Sequence, residues 1–199
     1  MILWTVQPPE AWKTLQDTGV LRTDPNLAEQ DWLEPYCWLA DRMAERIGPP
    51  PNGASLPLWA WYQWDGVKHR RPDLRFGGYG PPGCRQVRIE FEIDDNAVVL
   101  SDFDLWHCPL SYWYLAKDEA DDKAFEAELK QHGLDFFRQK PLPVAKYHKR
   151  IVRSWLKIFD LDWNNDWFTN ADRDKKCIQA TFWELRLGMV RKTKEFLVR

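Results

Sequence analysis

Residues 87–93 alternate strictly between apolar and charged side chains. The apolar positions are Val87, Ile89, Phe91 and Ile93, and the charged positions are Arg88, Glu90 and Glu92. Successive side chains of a strand point to opposite faces, so this period of two is typical of a strand with one buried and one solvated face. The chain is therefore expected to build a sheet with one wet face.

Signals for further strands and for helices lie on both sides of this segment. The residue pattern predicts a strand at Leu3–Gln7, then a helix that begins at Pro8 and is capped by Gly19. Further strands are predicted at Leu58–Trp64, 98–100 and Cys177–Leu185, and helices at about 31–47, 118–133 and 145–159. The sequence predicts one α+β domain over residues 1–199. Its sheet is expected to be mixed and mainly antiparallel, either whole or split into two small sheets, with flanking helices.

Composition and charge limit the classes of function. The chain carries 28 Lys and Arg against 30 Asp and Glu, so its net charge of −2 gives no global argument for binding DNA or a membrane. No signal peptide and no run of about 20 apolar residues is present, which predicts a cytoplasmic protein without membrane association. The four cysteines form no C-x-x-C pair, so no metal is expected.

Tryptophan is unusually frequent in this chain, with 13 residues. Most are expected to fill the core, because aromatic rings supply core volume first. A minority, led by Trp61 or its neighbour Tyr62, is expected to form the wall of a pocket for a flat ligand.

Positive charge is concentrated between Arg138 and Lys157, which hold seven Lys and Arg and no acid. This segment predicts a surface for phosphates or nucleic acid through Lys146, Lys149, Arg150 and Arg153. The alternative is a solvated helix face that the acids of Asp118–Glu128 neutralise.

Carboxylates form two further candidate sites. Asp73 with Glu90 and Glu92 resembles the acids of metal-dependent nucleases, although the lysine that such a site needs is missing. In extended chain Asp102 and Asp104 share a face, with His107 nearby, as an acid/base or metal cluster. The structural alternative is that these acids cap a turn before Pro109.

Several aromatic motifs carry a resemblance to a known family. They are Leu3–Gln7, Trp59–Trp64, Arg71–Arg75, Leu100–His107 and Ile178–Glu184. On these motifs the chain resembles an uncharacterised bacterial group, domain-of-unknown-function family 3841, over nearly its whole length.

The opening strand, helix and Gly19-Val20-Leu21 turn are more distantly similar to small ADP-ribosyltransferases. That resemblance implies NAD as a substrate, Glu184 and Gln179 as catalytic residues, and Trp61 or Tyr62 stacked on nicotinamide. Thr5 stands where the family has Arg or His, so NAD binding would draw on Arg71, Arg75 or His107.

The implied activity is modification of nucleic acid or protein, as in a bacterial toxin or phage-defence effector with an inhibitory partner protein. Two alternatives stay open, a non-catalytic nucleic-acid or nucleotide binding module and a metal-dependent nuclease.

Overall fold

The computed structural model describes residues 1–27, 30–168 and 171–199. These residues contain eight strands, β1 Ile2–Gln7, β2 Val20–Leu21, β3 Leu58–Gln63, β4 Arg85–Glu92, β5 Val99–Asp102, β6 Ile178–Phe182, β7 Leu185–Arg186 and β8 Val190–Leu197. They also contain five α-helices, α1 Pro9–Thr18, α2 Leu33–Ile47, α3 Phe103–Ser111, α4 Glu119–Gln131 and α5 Ala145–Ser154.

The chain divides into two compact units, residues 1–100 with 178–199, and residues 101–177. We call them unit 1 and unit 2. The expectation of one domain over residues 1–199 stays a prediction.

The strands form a six-stranded sheet in the order β5-β6-β3-β1-β4-β8, together with a two-stranded sheet of β2 and β7. The pairs β1–β4, β4–β8, β1–β3 and β3–β6 are antiparallel. The predicted α+β class is confirmed, and so is the split into a main sheet and a smaller one. Strand β8 lies at the edge beside β4 and was not predicted from the sequence.

One face of the main sheet is the apolar core of unit 1. Leu3, Ile89, Phe91 and Phe182 are buried there, and Leu15 of α1 packs against them. The period-two prediction for β4 is confirmed, because Val87, Ile89, Phe91 and Ile93 all belong to this core. Helix α1 ends where Gly19 takes φ 78°, a left-handed conformation that favours glycine.

The other face of the sheet carries polar and large aromatic side chains. Register pairs align five residues in one row across β8, β4, β1, β3 and β6, namely Lys192, Glu90, Trp4, Trp61 and Gln179. Directly opposed residues of neighbouring strands point to the same face, so these side chains share one surface. Further along β3, Trp59 contacts Tyr36 of α2, with 6.0 Å between ring centroids.

Unit 2 contains α3, α4 and α5 around an aromatic core. Phe125 of α4 is fully buried, and its ring lies 4.3 Å from that of Tyr114. Ile151 of α5 and Ile158 after it are also fully buried. None of the described helices has the length and apolar character needed to cross a membrane.

The structure corrects the prediction of extended chain at residues 101–108. Only Ser101 and Asp102 are in a strand, and α3 begins at Phe103. Asp102 is the N-cap of this helix, where Oδ1 accepts hydrogen bonds from the backbone N–H groups of Asp104 and Leu105. The acids therefore do not share the face of a strand, and the capping alternative is confirmed for Asp102, at a helix rather than a turn.

Candidate functional site

Glu184, the predicted catalytic residue, is held between two arginines. Oε2 accepts from Arg22 at 2.7 and 3.0 Å, and Oε1 accepts from Arg186 Nε at 2.7 Å. Burial alone raises the pKa of this carboxyl, but the hydrogen bonds and charges of the two arginines outweigh it and the net pKa is lowered. Both carboxylate oxygens thus have cationic partners within the chain.

The other residues of the predicted transferase site lie apart from Glu184. Leu58 of β3 pairs with Phe182, so Glu184 lies beyond that end of the pairing. Tyr62 lies four residues from Leu58 along β3, in the direction away from Glu184, which corresponds to about 13 Å of extended strand. Thr5 is buried on the core face, opposite Ile89. Trp61 and Gln179 are paired neighbours on the other face.

The remaining predicted residues are divided between the units. His107 lies on α3 of unit 2, exposed, with a ring nitrogen 3.1 Å from the backbone oxygen of Asp104. Asp102 is fully buried there, 3.1 Å from the Lys176 ammonium in an ion pair. Burial and the nearby charge of Asp102 raise the pKa of Asp104. Arg71 and Arg75 both lie in unit 1, in a cleft that the sequence did not define.

That cleft has a volume of about 830 Å³. Trp4 and Trp64 supply its aromatic wall, and three acids also line it, Asp65, Asp73 and Glu90. Its six Lys and Arg side chains are Lys68, Arg70, Arg71, Arg75, Arg88 and Lys194. We call it the basic cleft. It is formed by β1, β4, β8 and the segment that follows β3.

Each acid of the basic cleft already has a partner. Asp73 binds the Arg75 guanidinium, with 2.9 Å between Oδ2 and Nε, and its pKa is lowered to about 2 by those hydrogen bonds. Glu90 accepts from the Trp4 indole at 2.8 Å. Asp65 lies 3.7 Å from His69. The carboxylates therefore neutralise only part of the positive charge.

Two arginines of the cleft are fixed in place by other contacts. The Arg70 guanidinium lies 4.3 Å above the Tyr62 ring and donates to the Tyr62 carbonyl at 2.9 Å. Arg88 donates to the Pro72 carbonyl at 2.9 Å. Burial, followed by repulsion from Arg71, lowers the pKa of the Arg88 guanidinium.

Three cations of the basic cleft remain available to a ligand. Within the described part of the chain, the side chains of Lys68, Arg71 and Lys194 make no hydrogen bond or ion pair. All three are exposed. They are available to an anion that enters the basic cleft, and Trp64 offers partly exposed apolar ring surface beside them, whereas Trp4 is only 9% exposed.

A second basic surface lies on unit 2 along α5 and corresponds to the predicted anionic-partner site. Lys146, Lys149, Arg150 and Arg153 follow one helix face at spacings of three and four, beside a cavity of about 450 Å³. Glu128 pairs with Lys146 at 2.8 Å and with Arg150 at 3.0 Å. The prediction that acids of α4 neutralise this surface is thus confirmed for Lys146 and Arg150. We call the four cations of this surface the α5 stripe. Lys149 and Arg153 have no ion pair within the described residues.

No group of three or more His, Cys, Asp or Glu side chains in the described ranges is arranged to hold a metal ion. Of the acids suggested for a nuclease, Asp73 binds Arg75 and Glu90 binds Trp4. Glu92 is in an ion pair with Arg191. These carboxylates act as partners for cations and for an indole N–H in the structure.

Sequence reasoning missed most of the basic cleft. Arg71 and Arg75 were predicted as ligand-binding residues, but Trp64, Arg88 and Lys194 were not. Lys194 lies on β8, an exposed edge strand that lacks a clean apolar period and so gives no strand signal. Trp4 lies in the Leu3–Gln7 motif, but its position opposite Glu90 could not be predicted, because it depends on the register between β1 and β4.

Comparison with known families identifies the chain. A model of DUF3841, a domain of unknown function, matches residues 2–191. The chain belongs to the DUF3841 family. None of the curated proteins matches it. The DUF3841 match spans β1, β3, β4 and β6 and ends within the first two residues of β8, and it gives no support to similarity with ADP-ribosyltransferases.

Proposed function

We propose that this DUF3841 protein binds a phosphate-bearing ligand that also carries a nucleobase, a nucleotide or nucleic acid, in the basic cleft. The observation that supports this is the set of three unpaired cations, Lys68, Arg71 and Lys194, beside the rings of Trp4 and Trp64. The class of function is that of the binding-module alternative from the sequence, but the sequence placed the basic surface of that module at Arg138–Lys157 and not in this cleft.

The chemistry of the cleft matches both parts of such a ligand. Lysine and arginine neutralise phosphates, and the release of counterions drives that binding. Arginine also forms paired hydrogen bonds to phosphate oxygens. Tryptophan offers a flat apolar surface for a base. A purely anionic ligand without a ring would leave the aromatic wall unused.

The test compares two matched double variants, each of which removes one unpaired Arg and one unpaired Lys. Arg71→Ala with Lys194→Ala alters the basic cleft, and Arg153→Ala with Lys149→Ala alters the α5 stripe. Binding of labelled single-stranded DNA of about 12 nucleotides is measured by fluorescence anisotropy. The cleft variant is expected to bind at least about tenfold more weakly, and the stripe variant to bind as the wild type does.

Two results would count against the cleft. Absence of binding by the wild-type protein at low salt would remove the proposed function. Loss of binding only in the α5 variant would place the ligand on unit 2 and support Lys146, Lys149, Arg150 and Arg153 as the partner site that the sequence predicts.

ADP-ribosyl transfer with NAD stays a prediction, as do a toxin or phage-defence role and an inhibitory partner protein. Its candidate residues Thr5, Tyr62 and Glu184 lie apart, so we favour binding. Incubation with labelled NAD and cell extract tests the transfer. Nicotinamide release by the wild-type protein that Glu184→Gln abolishes would revive it, and equal release by both proteins would remove Glu184 from the mechanism.

A further inference from the structure

Phe76 is a large apolar side chain that the fold leaves in solvent at the rim of the basic cleft. Its side chain is 51% exposed, and it directly follows Arg75, which lines the cleft. The open half of this side chain gains nothing from the hydrophobic effect unless a ligand covers it.

The Phe76 ring is nevertheless held in a defined position. The ring of Trp64, a wall residue of the cleft, meets it at 5.8 Å and 69°, and the ring of Tyr79 meets it at 5.4 Å and 81°. Tyr79 in turn contacts Phe196 of β8 at 5.7 Å. Edge-to-face contacts of this kind are favourable aromatic geometries.

Gly78 completes the support for this ring. A methyl group on Gly78 would overlap the edge of the Phe76 ring, so the backbone passes directly against it. The Tyr79 hydroxyl donates to the Asp73 carbonyl at 3.1 Å, which ties this loop to the cleft. The ring is therefore braced by neighbours while half of its surface remains open.

We infer that Phe76 is a base-stacking residue and that the ligand of the basic cleft is single-stranded nucleic acid. This inference rests on the proposed function. The unpaired cations hold phosphates, and an adjoining base lies on the open surface of Phe76. Bases of a single strand are free to stack on aromatic side chains, whereas bases of a duplex are covered by their neighbours.

Aromatic stacking predicts a difference between strands that have bases and strands that do not. The probes are a labelled single-stranded oligodeoxythymidylate of about 12 nucleotides, an abasic strand with the same number of phosphates, and the corresponding duplex. The wild-type protein is expected to bind the thymidylate strand about 5- to 100-fold more tightly than the abasic strand, and more tightly than the duplex.

Phe76→Ala is expected to reduce the preference for the thymidylate strand, because Trp64 remains in the cleft, and to bind the abasic strand as the wild type does. Retained abasic binding also shows that this variant is folded. Phe76→Trp is expected to keep the preference. Phe137→Ala is the matched control, because Phe137 is 61% exposed and lies in unit 2. It is expected to leave all affinities unchanged.

Two outcomes would overturn the inference while leaving the binding of phosphates in the basic cleft in place. One is equal binding of the thymidylate and abasic strands by the wild-type protein. The other is a Phe76→Ala variant whose preference for bases is unchanged. By contrast, absence of binding to every probe would mean that the proposed function itself is wrong.

Discussion

At the scale of single residues, neighbouring charges set the pKa of the Glu184 carboxyl. Glu184 is buried enough that its pKa would rise, yet Arg22 and Arg186 lower it. Its side chain is 10% exposed, so the pair with Arg22 is shielded from much of the solvent. Such a carboxylate stabilises the fold through its charge.

Glu184→Gln is therefore expected to lower the free energy of unfolding by about 1 kcal/mol at neutral pH, after allowance for solvent screening of Arg186. Because the pKa of Glu184 is lowered in the folded protein, its contribution is present above the unfolded value of about 4.3. It is lost as the pH falls through the folded pKa. Urea unfolding at pH 7 and at acidic pH measures the difference, which should shrink in acid.

Glu119→Gln is the control for this prediction. Glu119 pairs with Lys123 on the surface of α4 and is 54% exposed. Its replacement is expected to change the free energy of unfolding by no more than about 0.5 kcal/mol. Equal stability of Glu184→Gln and the wild-type protein at pH 7 would contradict a stabilising role for the Glu184 pairs.

At the scale of elements, the ends of helices are set by single residues. Gly19 ends α1, and its N–H donates to the Leu15 carbonyl at 2.9 Å. A Cβ on Gly19 would have open space around it, so only the positive φ opposes a side chain there. The effect of a substitution is thus a property of the backbone alone.

Gly19→Ala is expected to lower the free energy of unfolding by about 1 kcal/mol, the cost of a left-handed conformation in a residue with a Cβ. Gly188→Ala is a matched control, because a Cβ there also meets open space and φ is not positive. It is expected to be neutral within about 0.5 kcal/mol. Thermal unfolding of the two variants checks this, and equal losses would show that φ does not govern the stability of this turn.

Prediction from sequence succeeded for elements with a local signal. The period of β4, the proline start and glycine end of α1, and the aromatic run of β3 each depend on neighbouring residues alone. Helix α3 was missed because Pro109 lies inside it and because Asp102 and Asp104 are spaced as they would be on one face of a strand. Its N-cap residue, Asp102, was the available signal.

At the scale of the whole molecule, function depends on charges that remain after internal pairing. The net charge of −2 gave no reason to expect an anionic ligand. The structure separates paired cations from unpaired ones, and three unpaired cations of unit 1, Lys68, Arg71 and Lys194, gather in the basic cleft. Local charge, and not total charge, therefore supports the proposed binding of phosphates.

The salt dependence of binding measures how many contacts the protein makes with phosphates. Each phosphate contact to a single strand contributes about 0.7 to the slope of log K against log salt concentration. Arg71→Ala with Lys194→Ala is expected to make that slope shallower by about 1.4. Titrations between about 50 and 200 mM salt measure it. An unchanged slope would show that these two side chains do not contact phosphates.

The sequence by itself determined the α+β class, the main strands and helices, the basic character of α5 and the motifs that carry the family resemblance. These features follow from periodicity and from residues close together in the chain. Only the tertiary structure decided which charges pair and which rings meet. Arg22 and Glu184 are 162 positions apart, and Trp4 and Glu90 are 86 apart. No local pattern encodes such pairings, because strand register and loop path bring these side chains together. The same pairing leaves the side chains of Lys68, Arg71 and Lys194 in the basic cleft without a partner among the described residues.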